Sequence, residues 1–149
     1  MAGRIDCSAM PFMPFTQPWA DAFCEAINSD PRYPSAAHGW RSPVAFILDR
    51  VPEHGYPEDV AVELVLEDGR CRGARAVRAA DVTAPFRLRG NFRVWKRISR
   101  GELDPVTAVM KRDLAFSGAI MTLMLHTGWA RALVDCVRKV DSIYPDEAH

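Results

Sequence analysis

The chain has 149 residues, and its 19 lysines and arginines are balanced by 19 aspartates and glutamates. That length suits one domain that buries a core without staples, and the neutral balance excludes a molecule drawn as a whole to nucleic acid or an anionic membrane. No run of 18 apolar residues occurs, so no transmembrane helix is expected. Residues 1–15 also lack the apolar stretch of a signal peptide.

In chain order, residues 1–15 carry Pro11 and Pro14 among Met10, Phe12, Met13 and Phe15, an apolar but unperiodic arm that lies on the domain or stays partly disordered. Thr16 is placed to cap a first helix with Pro18 in its first turn. Its buried face is Trp19, Phe23 and Ile27, with Ala22 and Ala26. Val44–Val51 is nearly all apolar and reads as a central strand. Val60–Glu67 and Arg70–Arg78 form a hairpin through Asp68-Gly69, and Gly73 marks a bulge. Asp81–Leu88 is the fourth strand, at an edge or irregular position because of Pro85.

From Asn91 the signals are dense. Phe92, Trp95 and Ile98 share one face of a short helix that Asn91 caps and Gly101 ends. Asp104-Pro105 restarts a helix whose apolar edge is Val106, Val109 and Met110, and Leu114–Ser117 is a fifth strand before Gly118. Ala119 to about Val140 reads as one long helix with a polar stripe of Arg131, Asp135 and Arg138. Carried back by helical steps, that stripe lands on Ile120, Met121 and Met124, an apolar surface that lines a cavity or meets a partner. The domain is therefore 16–140, with the arm 1–15 before it and a tail at 141–149. Cys7, Cys24, Cys71 and Cys136 lack metal-ligand spacing and read as four reduced thiols of a cytoplasmic protein.

Trp95, then Gly101-Glu102-Leu103-Asp104-Pro105, Ala108, Met110 and Leu114–Gly118, resembles the signature of the sterol carrier protein 2 domain family. Asp68-Gly69 and Ala80-Asp81-Val82-Thr83 fall where that family has a hairpin and a strand start; Asp113 and Ala119 depart from its pattern. The resemblance implies an α+β fold, a five-stranded, mainly antiparallel sheet covered by helices on one face. It also implies an apolar tunnel that accepts fatty acyl chains, acyl-CoA or sterols as a carrier, without catalysis.

The cavity candidates are Trp95, Met110, Phe116, Met121, Met124, Leu125 and Trp129, since methionine adapts to ligands of varied shape. Arg87, Arg89 and Arg93 are candidates for an anionic head group, with a solvated strand face balanced by Glu63 and Glu67 as the plainer alternative. The expected partner is a hydrophobic small molecule, not nucleic acid, with no cofactor and no metal. An interaction module, with Ile120, Met121 and Met124 as a homodimer or partner-protein surface, is the second reading. An enzyme using His126, which shares a helix face with Trp129, is the third, although no nucleophile, metal-ligand or phosphate-loop motif accompanies it.

Overall fold

The computed structural model describes residues 12–140 and 142–144. The arm up to residue 11, with Cys7, and the tail beyond residue 144 lie outside the described residues. Strands β1 (Val44–Leu48), β2 (Val60–Glu67), β3 (Arg70–Arg78), β4 (Phe86–Gly90) and β5 (Ala115–Ser117) form one sheet in the order β3-β2-β1-β4-β5. Only the β1–β4 pair is parallel. The helices are α1 (Gln17–Ser29), α2 (Tyr33–Ala36), α3 (Phe92–Ser99), α4 (Pro105–Met110), α5 (Ile120–Leu125) and α6 (Thr127–Val137).

Alternation sorts each strand between two faces. Val44, Phe46, Leu48, Val62, Leu64, Phe86 and Leu88 pack under the helices in the main core, while Ala45, Ile47 and Ala61 join Val82 and Ala84 in a small cluster behind the sheet. The hairpin turns on Asp68 (φ 51°) and Gly69 (φ 78°), the left-handed pair that such a turn requires. The register shifts between Val65, opposite Gly73, and Leu66, opposite Cys71, so Arg72 is the extra residue of the expected bulge.

The exposed edge of β3 is covered by α1. Gln17 accepts from the Ala76 N–H (2.8 Å) and donates to the Ala74 carbonyl (3.0 Å). Asn28 does the same for Cys71, at 2.8 and 2.9 Å. Two side-chain amides thus satisfy a strand edge that would otherwise template pairing. Between them Cys24 is disulfide-bonded to Cys71, with Cα atoms 5.5 Å apart. The reading of four reduced thiols is corrected here: α1 lying along β3 brings together two cysteines 47 positions apart. Cys136 is free and buried.

The local signals around Asn91 hold. Asn91 Oδ1 accepts from the Val94 N–H at 2.9 Å, and Asp104 Oδ2 from the Thr107 N–H at 2.9 Å. Thr16 makes no side-chain cap; its hydroxyl donates instead to the Met13 carbonyl at 2.6 Å.

Two elements differ from expectation. The fourth strand starts at Phe86, because the Thr83 and Ala84 N–H groups donate to Glu63 Oε2 (2.6 and 2.8 Å) rather than to a neighbouring strand. The last helix is two helices. At His126 (φ −125°, ψ 39°) the ring Nδ1 donates to the Thr122 carbonyl at 2.9 Å, while the backbone N–H turns to Leu123 at 3.0 Å. The side chain takes the acceptor that the helix ladder would have used, and the helical phase is reset.

Candidate functional site

The aromatic spacing of α1, α3 and α6 aims their largest side chains at the sheet, and the space between is not filled. An apolar cavity of about 60 Å³ lies there, roughly four times the space one buried water needs. Phe46 and Leu88 form its floor, and Trp19 and Phe23 of α1 one side. Trp95 and Ile98 of α3, with Val106 and Val109 of α4, close a second side. Leu123, Trp129, Leu133 and Val137 roof it from α5 and α6. Ser99 and Tyr144 bring the hydroxyls, which hydrogen-bond to each other.

Each indole that borders the cavity has its N–H directed elsewhere, leaving hydrocarbon toward the void. Trp95 Nε1–H donates to the Ile47 carbonyl (2.8 Å), Trp129 Nε1–H to the Tyr33 hydroxyl (3.1 Å) and Trp19 Nε1–H to Ser142 Oγ (2.8 Å). Trp129 stacks on Trp40 at 3.6 Å, and Phe15 on Trp19 at 5.3 Å. Burial pushes the Tyr33 phenol well above its ordinary value, so it stays a neutral donor and acceptor. These anchors fix the cavity's rings, and Arg131 of α6 donates to Asp104 at the start of α4 (2.7 Å), while Leu123, Leu133 and Val137 are held in the roof by packing.

The structure brings Trp95 and Trp129 together on this cavity. Met110, Met121 and Leu125 are 64%, 68% and 77% exposed and do not line it; Met124 and Phe116 are half-buried outside it. For Met121, Met124 and Leu125 the cause is the break at His126: the polar stripe of α6 does not continue into α5, so Leu123 is the α5 residue turned inward.

Arg87 and Arg89 occupy the positions of β4 that alternate with Phe86 and Leu88, on the far face of the sheet from the cavity. Arg87 donates to the Ala84 and Val82 carbonyls (2.9 and 3.3 Å), and Arg89 pairs with Asp49 (2.9 Å) and Asp59 (3.1 Å). Arg93 is exposed on α3. His126 is held against Trp40 edge-on, 5.4 Å between centroids, and does not reach the cavity. Among the described residues no three His, Cys, Asp or Glu side chains cluster as a metal site.

Sequence reasoning found Trp19, Phe23, Val106 and Val109 only as apolar helix faces. Pocket wall and core draw on the same residue types, so no signal in the sequence separates them.

A family model described as the SCP-2 sterol transfer family matches residues 21–128. The chain belongs to that family. A crystal structure of sterol carrier protein 2 is 34% identical, with a TM-score of 0.81 over 85% of this chain and 98% of that one. A Thermus thermophilus protein, described as possibly a sterol carrier protein, is also 34% identical, with a TM-score of 0.82 over 90% of this chain and 94% of its own. The sterol carrier protein domain 2 of Helicoverpa armigera, 12% identical over 84% of this chain and 90% of that one (TM-score 0.54), shares the fold. No curated protein matches the chain. The SCP-2 framework accounts for the five-stranded mixed sheet under a helical layer, and no helix among the described residues is long and apolar enough to cross a membrane.

Proposed function

We propose that this SCP-2 family member is a carrier that binds an apolar, lipid-like molecule, a fatty acyl chain or a sterol-like body, in the cavity between the sheet and the helices. The observation that carries this reading is a void walled by hydrocarbon from five helices and two strands, whose indole N–H groups are all satisfied elsewhere. Burial of apolar ligand surface drives binding, at about 25 cal/mol per Å² before association costs. At about 60 Å³ the void is a seed for a lipid chain rather than its full volume, so the aliphatic roof of α4–α6 moves outward when a chain enters. Trp95 and Trp129 are its proposed contacts.

Extraction of the purified protein into organic solvent, followed by mass spectrometry, releases a hydrophobic ligand on this reading. Titration of the delipidated protein with a C16 fatty acid and with a sterol changes its tryptophan fluorescence. No ligand released and no response to either would overturn the carrier reading. The cytoplasmic location read from the sequence stands against the Cys24–Cys71 bridge, which belongs to an oxidising compartment; alkylation of Cys24 and Cys71 as free thiols in cells lysed under trapping conditions would restore the cytoplasmic placement, and a persistent bridge removes it.

The exposure of Ile120, Met121 and Leu125 on α5 favours a second reading, self-association through that face. Sedimentation then shows a dimer that Met121→Glu dissociates, and a monomer at all concentrations removes this reading.

A further inference from the structure

Helix α1 has two faces with different duties. Gln17, Cys24 and Asn28, at helical steps of seven and four, lie along one side and attach the helix to β3. Trp19 and Phe23, on the opposite side, wall the cavity. Two of the three attachments are side-chain amides, which keep their hydrogen bonds through a tilt of about 30°. The middle one, Cys24–Cys71, is covalent and does not yield. We infer that this bridge is a redox clasp on the carrier, which binds its apolar ligand more tightly once a small thiol has opened it. The inference rests on the carrier reading and adds to it a regulation of the same site.

The surroundings of the bridge suit both of its states. Cys24 is half-buried while Cys71 is 5% exposed, so an incoming thiolate meets the Cys24 sulfur first. The bulge of β3 lies beside Cys71, and a Cβ at Gly73 would meet no atom within 4 Å, which leaves room for the attacking molecule. Each sulfur also has an acceptor in place for the reduced state. The Cys71 carbonyl lies 3.5 Å from Cys24 Sγ, and the Gly73 carbonyl 3.3 Å from Cys71 Sγ. With the bridge gone, the Gln17 and Asn28 amides still hold α1 on β3. The reaction is thiol–disulfide exchange with a glutathione-type thiol as reductant. Its thiolate attacks Cys24 Sγ and Cys71 leaves; a second reductant thiolate then releases Cys24. Each leaving thiolate takes the proton its attacker gave up, so two protein thiols form and the two reductant molecules end as one disulfide.

The direction of the effect follows from the size of the void. At about 60 Å³ the cavity must grow to admit a chain, and every wall that resists adds to the cost of growth. The roof of α4–α6 moves in either redox state, whereas the Trp19–Phe23 wall retreats only when the clasp is open. Ligand binding and reduction are therefore linked, and the linkage is reciprocal. The factor that reduction adds to ligand affinity is the factor that bound ligand adds to the equilibrium constant for reduction.

The test uses the delipidated full chain carrying Cys7→Ser, so that Cys24 and Cys71 exchange with the redox buffer. Cys136 does not take part, being buried with its thiol pushed up to about 12, chiefly by that burial. Binding of hexadecanoate and of cholesterol is read by tryptophan fluorescence for the bridged and dithiol forms, and the bridge is titrated in glutathione buffers with and without each ligand. Expected is an affinity about tenfold higher in the dithiol form. Saturating ligand shifts the reduction equilibrium of the bridge by the same factor, about 30 mV. Cys24→Ser/Cys71→Ser binds as the dithiol form does and ignores reductant. Equal affinities in the two forms overturn the clasp, and so does tighter binding by the bridged form or a glutathione equilibrium that ligand leaves in place. Loss of the folded circular dichroism on reduction also overturns it, because the bridge is then a staple of the fold. Failure of both forms to bind either ligand removes the carrier reading instead.

Discussion

The two faces of the sheet solve the same problem in opposite ways. Under the helices, large apolar side chains meet without filling the space, and a cavity of about 60 Å³ remains. Behind the sheet the cluster is made of small residues (Ala45, Ala61, Val82, Ala84 and Ile47), and it is sealed by one carboxylate. Glu63 is 5% exposed and accepts from the Thr83 and Ala84 N–H groups and from Arg75. These directional bonds give the back face a single arrangement. The front face is tethered at its indole N–H groups and at the Cys24–Cys71 bridge, and between those points it depends on dispersion between hydrocarbon surfaces, which tolerates displacement because no individual contact is worth more than a fraction of a kcal/mol. A carrier needs one face that holds and one that yields.

The most damaging way to break this division is to release α1, which spans both the cavity wall and the edge of β3. Reducing the Cys24–Cys71 bridge, or replacing it by Cys24→Ser, frees a loop of 47 residues in the unfolded chain, and is expected to cost about 3–4 kcal/mol in denaturant unfolding. Gln17 and Asn28 still clamp β3, so the reduced protein folds. An unchanged midpoint on reduction would show that the bridge contributes nothing to this fold.

Next in size is Glu63→Ala. It strips the acceptor from two backbone N–H groups and leaves the Arg75 guanidinium without its partner, at a cost of about 2–3 kcal/mol. Ligand affinity stays as it was, because the cavity lies on the other face. If the substitution altered ligand affinity as much as stability, the two faces would not be independent.

A matched pair of insertions sharpens the contrast. Ala61→Leu pushes three heavy atoms into a fully buried, filled cluster and is expected to cost about 1–3 kcal/mol. Ala130→Leu places the same atoms beside the existing void on α6. Its expected cost is under about 1 kcal/mol, while uptake of a C16 chain falls at least tenfold because the seed of the binding space is occupied. Equal costs at the two positions would mean that the void is not accessible to a side chain.

The framework was legible where it is written locally. Asn91, Gly101, Asp104-Pro105 and Asp68-Gly69 each determine their own turn or cap within four residues, and Gly73 announced the bulge. What escaped depends on residues distant in sequence, or on a side chain that competes with its own backbone. His126 takes the Thr122 carbonyl and breaks a helix whose apolar periodicity looked continuous, which is why the stripe carried back to Met121 and Met124 did not locate the cavity. The disulfide brings together segments 47 positions apart, and no spacing rule connects them. Glu63 looked like a countercharge on a solvated strand; its burial follows from the 79–84 segment folding over it.

The finest separation of the two faces is by pH. In the folded protein, burial by itself would raise the Glu63 carboxyl, but the Thr83 and Ala84 N–H groups and Arg75 together outweigh it and hold the group below the ordinary range. Asp30, beneath α6, is lowered to about 2, chiefly by the Arg32 N–H and then by Lys139. Both groups therefore bind protons more readily in the unfolded chain. Their stabilisation is fully present above the usual carboxylate range, about pH 4–5, and is lost as pH falls through the folded values. Stability is accordingly flat from pH 7 to about pH 5 and declines below it. Glu63→Gln keeps one oxygen acceptor for the backbone donors but cannot titrate, so it lowers stability at pH 7 by about 1 kcal/mol and makes the acid slope shallower. Asp30→Asn flattens the lower, more acidic end of the same curve. Parallel denaturant midpoints for wild type and Glu63→Gln from pH 6 to pH 3 would show that the carboxylate behind the sheet does not hold its face in the ionised form.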